Sequence, residues 1–99
     1  ISRIFRGTID EVNVHPREVF ANAINANAKS IILFHNHPSG NPTPSHDDQK
    51  ATLKLMRAGE VMGIDVLDHI IIGSYGSFCS FKEIGIINEL ENILKGEKN

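Results

Sequence analysis

The most informative stretch of this sequence is HNHPSGNPTPSHDD, residues 35–48. It follows a short apolar run, SIILF at residues 30–34, whose length and branched side chains predict a strand buried on both faces. The proline-rich loop at residues 38–44 suits neither helix nor strand, and a helix is predicted to begin at Ser45. The two histidines therefore stand at the carboxyl end of a buried strand, where α/β proteins usually carry their sites.

The residue types in this stretch predict a metal site. His35 and His37 are two residues apart, and an extended chain points side chains at that spacing to the same side. Asp48 lies in the first turn of the following helix, from which its carboxylate can fold back over both imidazoles. Two imidazoles and one carboxylate, with an open fourth position, form the ligand set of a catalytic zinc.

Each part of this pattern also has a structural interpretation. A lone His-x-His is common, and Ser45-x-x-Asp48 resembles a capping box with Asp in place of the usual Glu. Asp47 is the alternative ligand if the register shifts by one residue. The joint spacing, H-x-H followed by seven residues, S, two residues and D, favours the metal site over these alternatives.

The rest of the chain predicts an α/β sandwich with a mixed sheet and flanking helices. Strands are predicted at residues 1–9, 30–34, 64–72 and 77–81, and helices at residues 16–26, 45–62 and 88–95. A hairpin turn is expected at residues 73–76 and a short helical turn between residues 81 and 87. We expect one domain over residues 1–99, of which residues 88–99 form a terminal helix and a frayed tail.

Composition narrows the classes of function. The chain has 99 residues, 10 of them basic and 12 acidic, for a net charge of -2, whereas compact nucleic-acid modules usually carry a basic excess. Cys79 is the one cysteine, which excludes an internal disulfide framework and a zinc site built on several cysteines. The lone thiol fits a reducing, cytoplasmic setting. The longest apolar runs are far shorter than the about 20 residues that a membrane span needs.

The spacing His35-x-His37-x7-Ser45-x2-Asp48 resembles the JAMM motif of the JAB/MPN metalloproteases. The full string at residues 35–48, with GTIDEVNVHPREV before it and VLDHIIIG after it, resembles the RadC family. The resemblance runs from about residue 5 to residue 87. It implies a JAB/MPN fold, a three-layer-like sandwich of cytidine-deaminase-like architecture. Because the sequence starts with Ile1, we expect a C-terminal piece of a longer protein that lacks one or more N-terminal strands of the sheet.

The resemblance also implies roles for individual residues. His35, His37 and Asp48 would bind one Zn²⁺, and Ser45 would be a catalytic residue that hydrogen-bonds the zinc-bound water or the developing oxyanion. In related peptidases a glutamate on an upstream strand is the general base. No residue of this sequence matches that glutamate. The nearest upstream acids are Glu11 and Glu18, for which a solvated turn residue and a helix-dipole residue are the simpler interpretations.

The implied function is hydrolysis of an amide bond, in a peptide or an isopeptide, by a zinc-activated water. One alternative is a non-catalytic metal-binding or interaction module, which the missing glutamate favours. Another is a DNA-repair role, which the family's historical label suggests and the slightly acidic charge does not support. Nucleobase deamination is excluded because the H-x-E and P-C-x-x-C signatures are absent. An unpaired sheet edge would favour a homodimer.

The remaining histidines and Cys79 are expected to be structural. His15 stands just before a predicted helix, and His46 is expected to be exposed in the first turn of the next. His69 follows Asp68 in a strand, so a satisfied strand histidine is expected, with an Asp–His pair as the alternative. Cys79 is expected to be a small packed residue.

Overall fold

The structure is a computed structural model that describes residues 4–9 and 15–97. It has an α/β fold with a mixed four-stranded sheet and three helices, which confirms the predicted class. Residues 1–3, Glu11 and the tail at residues 98–99, about which the sequence made predictions, lie outside the described residues. In chain order the elements are β1 (Ile4–Thr8), α1 (Pro16–Asn25), β2 (Ser30–Asn36), α2 (His46–Met62), β3 (Asp65–Ile72), β4 (Phe78–Ser80) and α3 (Ile86–Glu97).

The sheet has the strand order β1-β2-β3-β4. The first three strands are parallel, and β4 pairs antiparallel with β3 after the hairpin. Crossovers between parallel strands are right-handed as a rule, and two that move in the same direction place their helices on one face of the sheet. The helices α1 and α2 accordingly contact each other. The carboxyl ends of β2 and β3 lie side by side, with His35 opposite Ile71 and Asn36 opposite Ile72.

The core lies between this helix layer and the sheet. In β2 the buried residues alternate, because Ile31, Leu33 and His35 face the helices while Ile32 and Phe34 are half-buried on the other face. The prediction that this strand is buried on both faces is therefore right for one face only. The helices contribute the following buried core residues: Phe20 and Ala23 from α1, Leu55 and Met56 from α2, and Ile87, Leu90 and Leu94 from α3.

Several element boundaries differ from the predicted ones. β2 continues through His35 and Asn36, because its parallel pairing with β3 extends to Ile72. α3 begins at Ile86, two residues earlier than predicted, and continues through the glycine near its end. α2 ends as predicted at Met62, and it is capped by Gly63, whose φ of 72° is the left-handed conformation that favours glycine. The described part of the chain contains no helix with the length and apolar character needed to cross a membrane.

Candidate metal centre

The end of β2 and the start of α2 bring three side chains together. One ligand atom from each of His35, His37 and Asp48 lies within 4.8 Å of the others. His35 is the last helix-facing residue of β2, His37 follows the strand, and Asp48 is the third residue of α2. The three residues that the sequence singles out as ligands are thus neighbours, and such a group could hold a metal ion.

The two ring nitrogens of His37 have different partners. Its Nδ1 lies 2.7 Å from the main-chain oxygen of Asn41, which can only accept, so the Nδ1–H donates to that carbonyl. Its Nε2 lies 2.8 Å from Oδ2 of Asp48, which as a carboxylate oxygen also only accepts. Nε2 can therefore donate to Oδ2 only if the imidazole carries a second proton, and in the neutral form it presents a lone pair to the cluster. An imidazole that donates its other N–H to a main-chain carbonyl is the usual arrangement of a metal-binding histidine.

His35 is the least satisfied polar side chain of the group. It is 3% exposed, and neither of its ring nitrogens has a hydrogen-bond partner among the described residues. Its Nδ1 lies 3.1 Å from Oδ1 of Asp48, and its ring stands perpendicular to that of His37 with centroids 5.0 Å apart. A buried polar group without a partner is rare and needs an explanation, which a bound ion would supply.

Asp48 takes part both in the N-terminal cap of α2 and in the cluster with the two histidines. Its main-chain N–H donates to Oγ of Ser45 over 3.0 Å, and its Oδ2 accepts from the main-chain N–H of Ser45 over 2.7 Å. The capping box that the sequence offered as an alternative is therefore present. It does not displace the metal-site interpretation, because the same box fixes the carboxylate with its other oxygen toward His35.

The cap also keeps Asp48 in the form that a metal requires. Burial alone would raise the pKa of the Asp48 carboxyl. The hydrogen bonds from Ser45, followed by that from His37 and the charge of His35, outweigh burial and lower the pKa below its ordinary value. The group is therefore a carboxylate over the whole range in which imidazoles can bind a metal.

The loop between the histidines and α2 is held against the β3–β4 hairpin. The main-chain N–H of Gly40 donates to the main-chain oxygen of His37, and the oxygen of Gly40 accepts from the N–H of Ser74 over 2.8 Å. A side chain at Gly73 would place its Cβ 2.3 Å from that same oxygen, so only glycine allows this approach. The hairpin thus supports the loop that orients His37.

A buried pair, Thr52 and His69, lies directly behind the cluster, and the sequence pattern gave Thr52 no role. Oγ1 of Thr52 lies 2.6 Å from Nδ1 of His69 and 2.7 Å from the main-chain oxygen of Asp48. The ring of His69 stacks on that of His35 with centroids 5.8 Å apart. The alternative of an Asp–His ring pair is wrong, because Asp68 accepts from the main-chain N–H of His69.

His69 is satisfied at one nitrogen only. Its side chain is fully buried, and its Nε2 has no partner among the described residues. Burial, followed by the charge of His35, lowers the pKa of His69 to about 4, so the ring is neutral at pH 7. The spacing of Thr52, one helical turn after Asp48, was the available signal for this pair.

The other candidates lie outside the cluster. Glu18, His46 and Asp47 are exposed, and none belongs to the described group of potential ligands. His15 is the exposed residue before α1 and forms no side-chain cap. Cys79 is half-buried on β4, and burial raises the pKa of its thiol, which makes it a poor thiolate ligand.

Comparison with known proteins identifies the family of this chain. A family model described as a RadC-like JAB domain matches residues 1–86. The chain belongs to the RadC family. Within that family it is 52% identical over 87 residues to a UPF0758 protein of Clostridium kluyveri, covering 88% of this chain and 38% of the relative. It is 50% identical over 84 residues to a UPF0758 protein of Symbiobacterium thermophilum, covering 85% and 36%. The chain thus spans less than two-fifths of these RadC relatives.

Proposed function

We propose that His35, His37 and Asp48 bind one Zn²⁺ and that this site hydrolyses amide bonds in peptides or isopeptides. The observation that carries the proposal is the convergence of three buried or half-buried acceptor side chains within 4.8 Å. Two imidazoles and a carboxylate match zinc, whereas calcium and magnesium prefer all-oxygen ligand sets. Membership in the RadC-like JAB family supports the same proposal.

Some residues of the site would bind and orient the metal, and Ser45 would stabilise negative charge that develops on the substrate. A bound zinc supplies Lewis acidity, polarising a scissile carbonyl and lowering the pKa of a water toward about 7. The Asn41 carbonyl holds His37 with Nε2 toward the site, and the Ser45 cap holds Asp48. A hydroxyl that accepts one hydrogen bond can still donate its own O–H, so Ser45, which is exposed, can donate to a developing oxyanion.

The proton acceptor of the reaction is proposed to come from outside the described residues. Among residues 4–9 and 15–97, Asp48 is the one carboxylate in the cluster, and Glu18 is exposed on α1. A second candidate function follows from the same observation, namely a metal-binding module without catalytic activity. We propose a peptide or protein partner rather than nucleic acid, and a cytoplasmic setting, from the net charge of -2 and the lone cysteine.

The proposal is tested first by metal content. The full chain is reconstituted with zinc at neutral pH, desalted and measured by elemental analysis, beside His35→Ala, Asp48→Ala and, as a matched control, the exposed-histidine variant His46→Ala. We expect about one zinc per chain in the wild type and His46→Ala, and loss of zinc in the other two variants. A wild type that retains no zinc would contradict the proposal.

Hydrolysis assays then separate the two candidate functions. Peptide and isopeptide substrates are offered to a chimera in which this chain replaces the matching segment of a full-length RadC relative. Turnover that disappears in Asp48→Ala supports the hydrolase. A zinc-loaded protein that turns over neither class of substrate favours the non-catalytic module.

A further inference from the structure

We propose that the hydrogen bond between His69 and Thr52 positions the metal ligands, by tying α2 to β3 one helical turn after Asp48. The inference rests on the proposed function, because it assigns a role to residues that contact the ligands and not the metal. Both side chains are fully buried, and they stand on different elements, Thr52 on α2 and His69 on β3. Neither residue belongs to the motif that predicts the metal site.

The direction of each hydrogen bond follows from what the atoms can do. The main-chain oxygen of Asp48 has no proton to give, so the single hydroxyl proton of Thr52 is donated to it. The same hydroxyl oxygen lies 2.6 Å from Nδ1 of His69, so there it must accept a hydrogen bond from an Nδ1–H. The chain of donors therefore runs from His69 through Thr52 to a ligand residue, and it sets the tautomer of His69.

In that tautomer the ring of His69 is neutral, its Nε2 carries no proton, and the ring packs against the proposed ligand His35. The ring of His69 stacks on that of His35, with centroids 5.8 Å apart and 28° between the planes, and it also contacts the ring of Phe81, with centroids 4.6 Å apart. Phe81 is fully buried as well. The stack therefore restricts the ring plane of His35, which has no hydrogen bond of its own to fix it among the described residues. A single buried pair thus restrains two of the three proposed ligands.

A purely structural role would affect folding and leave metal affinity unchanged. Outer-sphere partners that orient ligands typically cost 10- to 100-fold in metal affinity when they are removed. The two roles are separated by measuring affinity at a temperature where every variant is folded. The spectrum of a bound probe ion adds a second readout, because it reports ligand geometry rather than stability.

The experiment titrates the full chain with Co²⁺ alone and records its visible absorption. Thr52→Val removes the hydroxyl and keeps the shape, His69→Phe removes the Nδ1–H and keeps a ring, and Thr52→Ser keeps a hydroxyl. Leu90→Ala, a buried change on α3, is the control for lost stability. Circular dichroism confirms that each variant is folded.

The expected result is Co²⁺ binding that is weakened about 10- to 100-fold, with an altered spectrum, in both Thr52→Val and His69→Phe. Thr52→Ser should restore wild-type affinity to within about threefold, and Leu90→Ala should bind as the wild type does. The double variant should bind no more weakly than either single variant, because the two residues act through one bond.

The contrary results are distinct. Wild-type Co²⁺ affinity in Thr52→Val and His69→Phe would overturn this inference and leave the proposed function standing. An equal loss of affinity in Leu90→Ala would overturn it as well, since stability alone would then explain the effect. A wild type that binds no Co²⁺ would overturn both. If Thr52→Val does not fold, His69→Phe removes the same bond and decides the question.

Discussion

Two buried aspartates of this chain differ in what surrounds their oxygens. Asp68 is 9% exposed, and its carboxylate accepts from the main-chain N–H groups of His69 and Lys82 and from the hydroxyl of Ser80. All these partners are donors. Asp48 is 6% exposed and also accepts from a main-chain N–H, but its oxygens face imidazole nitrogens as well.

The difference distinguishes a structural carboxylate from the carboxylate that we propose as a metal ligand. Both carboxylate oxygens of Asp68 accept hydrogen bonds from fixed donors, so the group needs no further partner. Asp48 faces His37, and a neutral His37 has a single ring proton, which it donates to the carbonyl of Asn41. Asp48 also faces His35, whose ring nitrogens have no hydrogen-bond partner among the described residues. Burial alone does not identify a site. Acceptors that converge on one point indicate a candidate site, because a proton or a shared cation is needed to hold them close together.

The largest expected effect is on metal affinity. Asp48→Asn should weaken Co²⁺ binding beyond the about 10- to 100-fold typical of an outer partner, because it removes a direct ligand. Asp68→Asn is the matched control and should change affinity by less than about tenfold. Isothermal titration calorimetry at neutral pH measures both. Equal losses in the two variants would remove the distinction between the aspartates.

For the stability of the metal-free protein, we expect the substitution of Asp68 to have a larger effect than that of Asp48. Asp68→Asn should lower the free energy of unfolding by about 3 kcal/mol, because charge-assisted hydrogen bonds from buried donors are weakened and one donor loses its acceptor. Asp48→Asn should lower it less, because one main-chain donor, the N–H of Ser45, depends on this carboxylate, and an amide oxygen can still accept from it. Urea unfolding in the presence of a chelator provides the comparison. A larger loss in Asp48→Asn would contradict this account of Asp68.

The pH dependence of the free energy of unfolding reports on the buried ring of His69. The pKa of His69 is about 4 in the folded chain, against 6.5 for an unperturbed histidine, so the unfolded chain binds more protons between these values. The free energy of unfolding should therefore fall as the pH drops from 6.5 to 4, by about 3 kcal/mol from this group. Asp48, whose pKa is lowered, adds stability above its ordinary pKa of 3.8 that is lost only at lower pH.

This pH effect is measured by chelator-treated urea unfolding of the wild type and His69→Phe at several pH values. The variant lacks the titrating ring, so its stability should depend less on pH between 6.5 and 4 than that of the wild type. Identical pH profiles would show that His69 does not titrate as its burial implies.

The smallest effect is expected at the helix cap. Ser45→Ala removes the acceptor for the N–H of Asp48 and should lower the free energy of unfolding by about 1 kcal/mol. Co²⁺ affinity should fall by less than about tenfold, because the main-chain N–H of Ser45 still holds Oδ2. Ser77→Ala, in the hairpin turn, serves as the control. A loss of affinity as large as that of Asp48→Asn would make Ser45 a ligand itself.

The proximity of the three proposed ligands could be predicted from the sequence, because the signals are local. Alternation along β2 predicts that His35 and His37 share a side, and the start of α2 at Ser45 predicts where Asp48 lies. The fold class followed from the order of strand and helix patterns. The boundaries were less accurate, since the end of β2 depends on its pairing with β3.

The role of His69 could not be predicted in this way, because it depends on an irregularity in strand pairing. Ile31 is opposite Val66, but the next residue, Ile32, is opposite Asp68. This shift of one residue turns Asp68 away from the helices and turns His69 toward them, against simple alternation from Val66. A local pattern carries no signal for such a bulge, so the stack on His35 became apparent only from the structure.

The proposed metal site is tested most directly by a crystal structure of the zinc-soaked chain with anomalous diffraction data at the zinc edge. We expect one strong peak, about 2.0–2.2 Å from an imidazole nitrogen of His35, Nε2 of His37 and an oxygen of Asp48. The side chains of Thr52 and His69 should lie behind the ligands without touching the ion. A peak at Asp68 or Cys79 instead, or no peak between the histidines and Asp48, would contradict it.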